Sequence, residues 1–331
     1  MSAPVRPGST KKPSRTRRRA GRTWNLDRLS LVAVFLGVPL SIYVIFVVSP
    51  FVQAIGYSFT DWGGFSDQMN PVGLANYERL WHDDTFRTAL RNNILLAFVL
   101  PLLIVTLSFT LATLITVAGR SVGETKGLAG SGFYRVVSFF PYAIPAVVIG
   151  IMWSQIFDPN AGLVNAALKK LGLNDLGSTA WLGEKATAMP VTMFIIVWGL
   201  IGFYMLLFIA AIKSIPAEIY ESARLEGAGR LRIALTITLP LIRENVQTAY
   251  IYLGIMALDA YVYMQALNPI GGPDNSTLVM TQYLMTMAFD KHMFGVACAI
   301  GVVLALVTAV FASLVFLINR LTGGKDRVTL A

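Results

Sequence analysis

Apolar residues dominate six stretches of this chain, at about 30–57, 92–117, 134–157, 188–212, 245–268 and 294–319, and polar segments separate them. Each is long enough for the roughly 20 helical residues that cross a bilayer. The pattern predicts an all-α, polytopic membrane protein with six transmembrane helices. Pro39, Pro101, Pro141 and Pro145 interrupt the stretches. Membrane helices tolerate this where neighbouring helices resatisfy the freed backbone groups. Composition agrees with the pattern. Of 331 residues 55% are hydrophobic and 14% charged, the mean hydropathy is +0.62, and so apolar a chain cannot bury itself in one or two soluble cores.

The net charge of +9 changes the picture only through its distribution. Residues 1–29 hold nine basic side chains, and the polar segments on the same side bring the total there to twenty of the 27 lysines and arginines, against seven opposite. Basic residues stay on the cytoplasmic side, so both termini are expected there. The residues counted inside include Arg120, Lys126, Lys325 and Arg327. The stretch 1–29 reads as a disordered basic tail near anionic membrane lipid, ahead of a membrane domain at 30–331. Nucleic acid is not an expected partner. No A-x-A-like site follows the first apolar run, which is too long for a cleaved signal, so it reads as an uncleaved span. Cys298 is the only cysteine and reads as a packing residue.

Enzyme chemistry finds no foothold. His82 and His292 fall in predicted outside loops, Ser131 lies in AGSGF without the G-x-S-x-G spacing, and Asp259 is the one carboxylate deep in a span. Metal-ligand spacing is missing. The nearest match to a phosphate-binding loop is GLNDLGST, Gly172 to Thr179, with Ser178 where the lysine must stand. Neither catalytic residues, a metal nor a cofactor is expected, and ATP, if used, needs another subunit.

One segment stands out between the fourth and fifth spans: IPAEIYESARLEGAGRLRIALTITLP, Ile215 to Pro240. Pro216 suits the first turn of a helix, and Glu218 and Glu221 favour its dipole in the early turns. Gly227 can then end it in a left-handed conformation. A second helix is expected from about Arg230 into the fifth span. The residues alone leave open whether this short helix lies on lipid as an amphipathic connector or docks on a partner.

The segment resembles the cytoplasmic loop signature of ABC importer permeases, in which E-A-A, three residues, Gly, nine residues and I-x-L-P recur. Glu221, Ser222, Ala223, Gly227, Ile237, Leu239 and Pro240 fall at that spacing, with Ser222 in place of the middle alanine. PVGLANYERLWHDDTFRTALRNNI (71–94), FYRVVSFFPYAIPAVVIGIMWSQIFDPNAGLVNAAL (133–168) and GGPDNST (271–277) are similar to segments of the first permease of binding-protein-dependent sugar importers, of maltose or glycerol-phosphate type. The resemblance covers nearly everything after residue 30. It implies the type I permease fold, with a coupling loop at about 213–244. It also implies a second permease, an ATPase dimer, an extracytoplasmic solute-binding protein, a bacterial cell membrane, and a sugar, oligosaccharide or glycerol phosphodiester as solute. Glu218, Glu221, Ser222, Ala223, Gly227, Ile237, Leu239 and Pro240 are the expected coupling-loop residues, and Glu221 and Gly227 are those most exposed to loss of coupling.

Alternating access places a solute at mid-membrane. Asp259 stands near the midpoint of the fifth stretch, where a carboxylate costs about 2.5–3.5 kcal/mol and is functional by default. Tyr252, Met256, Asp259 and Tyr263 share one helical face, with Tyr261 and Gln265 close by. Aromatic faces stack on sugar rings while the carboxylate accepts hydroxyl hydrogen bonds, and the resembled maltose-type permease lines its cavity from the corresponding part. Asp259 as a pairing group for the companion permease is the competing reading. Trp153, Trp198 and Tyr204 are weaker substrate candidates. The alternative function is a proton-coupled secondary transporter using Asp259 as relay.

Overall fold

The computed structural model describes residues 30–31, 33–65, 68–117 and 131–322. The basic tail at 1–29, Arg120, Lys126, Lys325 and Arg327 lie outside the described residues. The chain divides into two units, Met1–Val52 and Gln53–Ala331. Helix α1, Ala33–Tyr57, carries the described part of the first and enters the second.

The second unit is helical and has no strand among the described residues. Its elements are α2 (Ala75–His82), α3 (Asp84–Val117), α4 (Ser131–Phe139), α5 (Ala146–Ile156), α6 (Leu163–Lys170) and α7 (Lys185–Lys213). After these come α8 (Ala217–Leu225), α9 (230–241), α10 (Arg243–Leu258), α11 (Tyr261–Leu267), α12 (Met280–Met285) and α13 (Phe294–Thr322). Helices α3 and α7 pack along each other and α10 lies on α3. Leu96, Leu100 and Ile104 recur every four residues on α3 and are fully buried, as one stripe of a 3.6-residue helix must be. They meet Ile196, Leu200, Met205 and Phe208 of α7 and Leu253 and Ala257 of α10 in one core. Ser108 donates to the carbonyl of Ile201 at 2.9 Å, tying α3 to α7.

Among the described residues four helices are long and apolar enough to cross a membrane: α1, Asp84–Thr116, α7 and Phe294–Ile318. The expected third and fifth spans are the two that break. In the third, Gly132–Ala143 and Ala146–Ile156 meet at 98°. A 3₁₀ turn at Phe140–Ala143 precedes extended Ile144 and Pro145, because the residue before a proline is pushed out of the helical region. In the fifth, α10 stops at Leu258. Asp259 (φ −108°, ψ 44°) and Ala260 (φ −78°, ψ 21°) leave helical geometry, and α11 begins afresh. Helix α10 stays on α3 while α11 packs chiefly against α5.

Candidate functional site: a protruding loop and an aromatic cavity

The segment Ile215 to Pro240 folds as two helices around a glycine stop. Helix α8 starts one residue later than its sequence suggests, with Pro216 extended as the cap and Ala217 first in the helix. Its inner face is set by Tyr220 and Ala223, both buried, against Ile233 and Ala234 of α9. The Tyr220 hydroxyl lies 3.3 Å from Thr238 Oγ1. Burial pushes that phenol above its ordinary pKa, a shift the hydrogen bond partly offsets, so Tyr220 stays neutral.

The stop is a left-handed cap. Gly227 has φ +79°; its N–H donates to Arg224 at 3.0 Å, and the N–H of Ala228 donates to Ala223 at 2.9 Å. This pair of bonds is the Schellman pattern, and no atom lies within 4 Å of where a Gly227 side chain would start. The outer face holds Glu218, Glu221, Ser222 and Gly227, all exposed, as is Pro240. Leu225 is 89% exposed and Leu231 73%. Ile237 and Leu239 are half-buried against the core. Residues 233–238 form a π-helical turn that carries α9 into the body of the protein.

A cavity of about 540 Å³ lies between α7, α10 and the 3₁₀ turn before α5. Of the residues proposed from sequence for the solute, Tyr252 and Met256 line it, and so does Tyr204. The sequence reasoning missed Tyr142 and Phe203, whose rings stack with centroids 4.5 Å apart, and Glu244, Asn245 and Thr248. On α10, residues 244, 248, 252 and 256 recur at helical spacing, the one signal that could have found the polar part of the lining.

The remaining predicted residues are not part of this cavity. The break after Leu258 divides the expected face: Tyr252 and Met256 stay on α10, while Tyr261 and Tyr263 belong to α11. The Tyr263 hydroxyl instead approaches α7 at Gly199. Asp259 is exposed at the end of α10, its N–H donating to Met256 at 3.1 Å. Trp153 sits in an aromatic cluster with Phe157, Phe194 and Trp198, which is packing rather than cavity lining.

What holds the break is Asn93, wholly buried on α3. Its Nδ2 donates to the Leu258 carbonyl at 2.7 Å, and its Oδ1 accepts from the Met280 N–H at 2.7 Å, so one side chain caps the end of α10 and the start of α12. Asn92 beside it donates to the carbonyl of Leu278 at 2.9 Å. Asn268 donates to Thr192 at 2.8 Å, and Gln282 to Gln265 and to the Asn268 carbonyl, at 3.0 and 3.1 Å. Buried polar backbone without water must be paired this way.

Outside the spans, Asp83 accepts from Tyr283 of α12 and from the N–H groups of Thr85 and Phe86. Burial alone would raise its pKa, but these bonds outweigh it and hold the carboxyl below its ordinary value.

Four helices long and apolar enough to cross a membrane, and a fifth candidate bent at 98°, define the described residues as those of a membrane-embedded protein. The chain belongs to the family of binding-protein-dependent transport system inner membrane components, whose pattern matches residues 115–323. It is 56% identical to the diacetylchitobiose uptake system permease protein NgcF of Streptomyces coelicolor over 98% of this chain and 91% of that protein. The multiple sugar-binding transport system permease protein MsmF of Streptococcus mutans is 28% identical over 85% and 92%. A bacterial alginate ABC transporter, crystallised with an alginate pentasaccharide-bound periplasmic protein, contains a chain of the same fold (TM-score 0.77, 21% identity, 90% of this chain and 96% of that one). Family membership sets aside the proton-coupled alternative and makes an extracytoplasmic binding protein the kind of partner this chain serves.

Proposed function

We propose that this chain is one of two permeases of an ABC importer for a small oligosaccharide of the diacetylchitobiose class, worked by a separate ATPase dimer that docks on Ile215 to Pro240. The observation that carries the reading is the build of α8: anchored inward through Tyr220 and Ala223, stopped by Gly227, and presenting Glu218, Glu221, Ser222 and Leu225 outward. An anchored helix with an acidic and apolar outer face suits transmission of a push; a helix merely lying on lipid would turn its apolar side chains to one membrane-facing side. Closure of the ATPase dimer then rocks the spans between two states, with the loop and both termini cytoplasmic, as the basic residues are distributed. The 56% identical relative supports the sugar. The aromatic cavity supports stacking of uncharged ring faces by Tyr142, Phe203, Tyr204 and Tyr252.

The test is coupling in the purified complex of both permeases, ATPase and binding protein, reconstituted in vesicles. Gly227→Asp forces a side chain into a left-handed conformation that costs about 1–2 kcal/mol, and should lower ATP hydrolysis stimulated by the loaded binding protein about tenfold. Leu225→Asp, which adds no backbone strain, should lower it as well and release ATPase from the complex. Unchanged stimulation in both variants would remove the docking role of this loop.

A further inference from the structure

The cavity between α7 and α10 has an electrostatic character. Its described lining is mainly aromatic and aliphatic, with Asn245, Thr248 and the tyrosine hydroxyls as neutral polar groups, the Glu244 carboxylate as its only carboxylate and no lysine, arginine or histidine. Arg243 precedes Glu244 in the chain but is not part of the lining. The ion pairs found among the described residues, Arg87 with Asp84 and Lys185 with Asp274, leave Glu244 out. Glu244 is exposed in the first turn of α10, one turn before Thr248 and two before Tyr252 on the same face. It therefore stands at the N-terminal end of the face that α10 turns to the cavity, four residues after Pro240.

A negative charge on the wall of a largely apolar cleft is poorly screened inside it, and the low-dielectric walls focus its field along the cleft. An acidic sugar passing there meets repulsion; an uncharged one does not. We propose that Glu244 makes this chain's side of the path an anion filter, so that the solute leaving through it is an uncharged or ammonium-bearing sugar and not a uronate. The inference rests on the cavity being the solute path. The acidic polysaccharide named for the transporter of like fold does not carry over, since 21% identity carries the fold alone.

The experiment reads the field without relying on the binding protein's own selectivity. In the complete complex, Thr248→Cys is introduced with Cys298→Ser, and modification of the new thiol by cationic and anionic methanethiosulfonates is followed by mass on this chain. Each rate is normalised to that reagent's rate with a free thiol. The cationic reagent should react about tenfold faster, E244Q should bring the ratio close to one, E244K should invert it, and added salt should narrow it. A ratio that E244Q leaves unchanged overturns the filter. A thiol that neither reagent reaches, in complexes that still take up diacetylchitobiose, overturns the filter together with the cavity as path. A ratio that follows Glu244 in complexes that take up no diacetylchitobiose supports the filter and removes only that sugar.

Discussion

Two of the membrane segments break, and they break for different reasons. Between α4 and α5 the cause is in the local chain. Pro141 and Pro145 stand four apart, Ile144 is extended before the second, and the pieces meet at 98°. Between α10 and α11 there is no proline or glycine at all; Leu258, Asp259 and Ala260 are residues a helix accepts. There the carbonyl released by the break is taken by Asn93, 165 positions away in sequence. Proline by itself does not decide the matter, since Pro101 and Pro190 sit inside α3 and α7 without ending them. A break in a membrane helix needs somewhere for its backbone groups to go. In one segment the proline rings remove the donors, and in the other a distant amide receives the orphaned groups.

The comparison is broken or sharpened first at Asn93. Asn93→Ala leaves the Leu258 carbonyl and the Met280 N–H without partners in a fully buried place, at about 1–3 kcal/mol each. The assembled complex should lose roughly 2–5 kcal/mol of stability, measured by denaturant or thermal unfolding in detergent. Asn93→Asp keeps the acceptor for Met280 but sets a carboxylate against the Leu258 carbonyl in a fully buried place, so it should cost at least as much. Next comes Gly202, on α7 beneath the proline bend, where a Cβ would lie 1.7 Å from the Ser138 carbonyl oxygen of α4. Gly202→Ala should overpack this contact at a cost of about 1–3 kcal/mol, visible as a changed distance between spin labels on α4 and α7. The smallest effect is expected from Pro145→Ala. It frees the unfolded chain and should cost only about 0.4–1 kcal/mol, with a broadened label distance across the bend. A larger loss from Pro145→Ala than from Asn93→Ala would reverse the ranking of local and distant causes.

The same division explains how far the sequence could be read. The apolar stretches and the stop at Gly227 are properties of neighbouring residues; four of the six stretches contain helices long and apolar enough to cross a membrane, and Gly227 takes the left-handed conformation, with α8 shifted by one residue. The proline bend was within reach, since the prolines are visible; reading them as tolerated missed the extended residue between them. The break at Asp259 was out of reach because its cause lies on α3, and with it went the expected face joining Asp259 and Tyr263 to Tyr252. The cavity was half legible for the same reason. Tyr252 and Met256 follow from the helical repeat of α10, but Tyr142 and Phe203 join them only through the packing of two other elements.

The link at Asp259 and Ala260 also bears on how movement spreads through the molecule. Helix α10 is bound along its length to α3 and α13, whereas α11 is bound to α5, so the two halves of one segment travel with different bodies. A displacement that enters through α8 and α9 reaches α10 directly along the chain. Along the chain it passes on to α11 through two residues already turned out of helical geometry. Those residues work as a universal joint in an otherwise stiff shaft, and the carboxylate that pattern reading took for a fixed wall of the path is mounted on the joint itself.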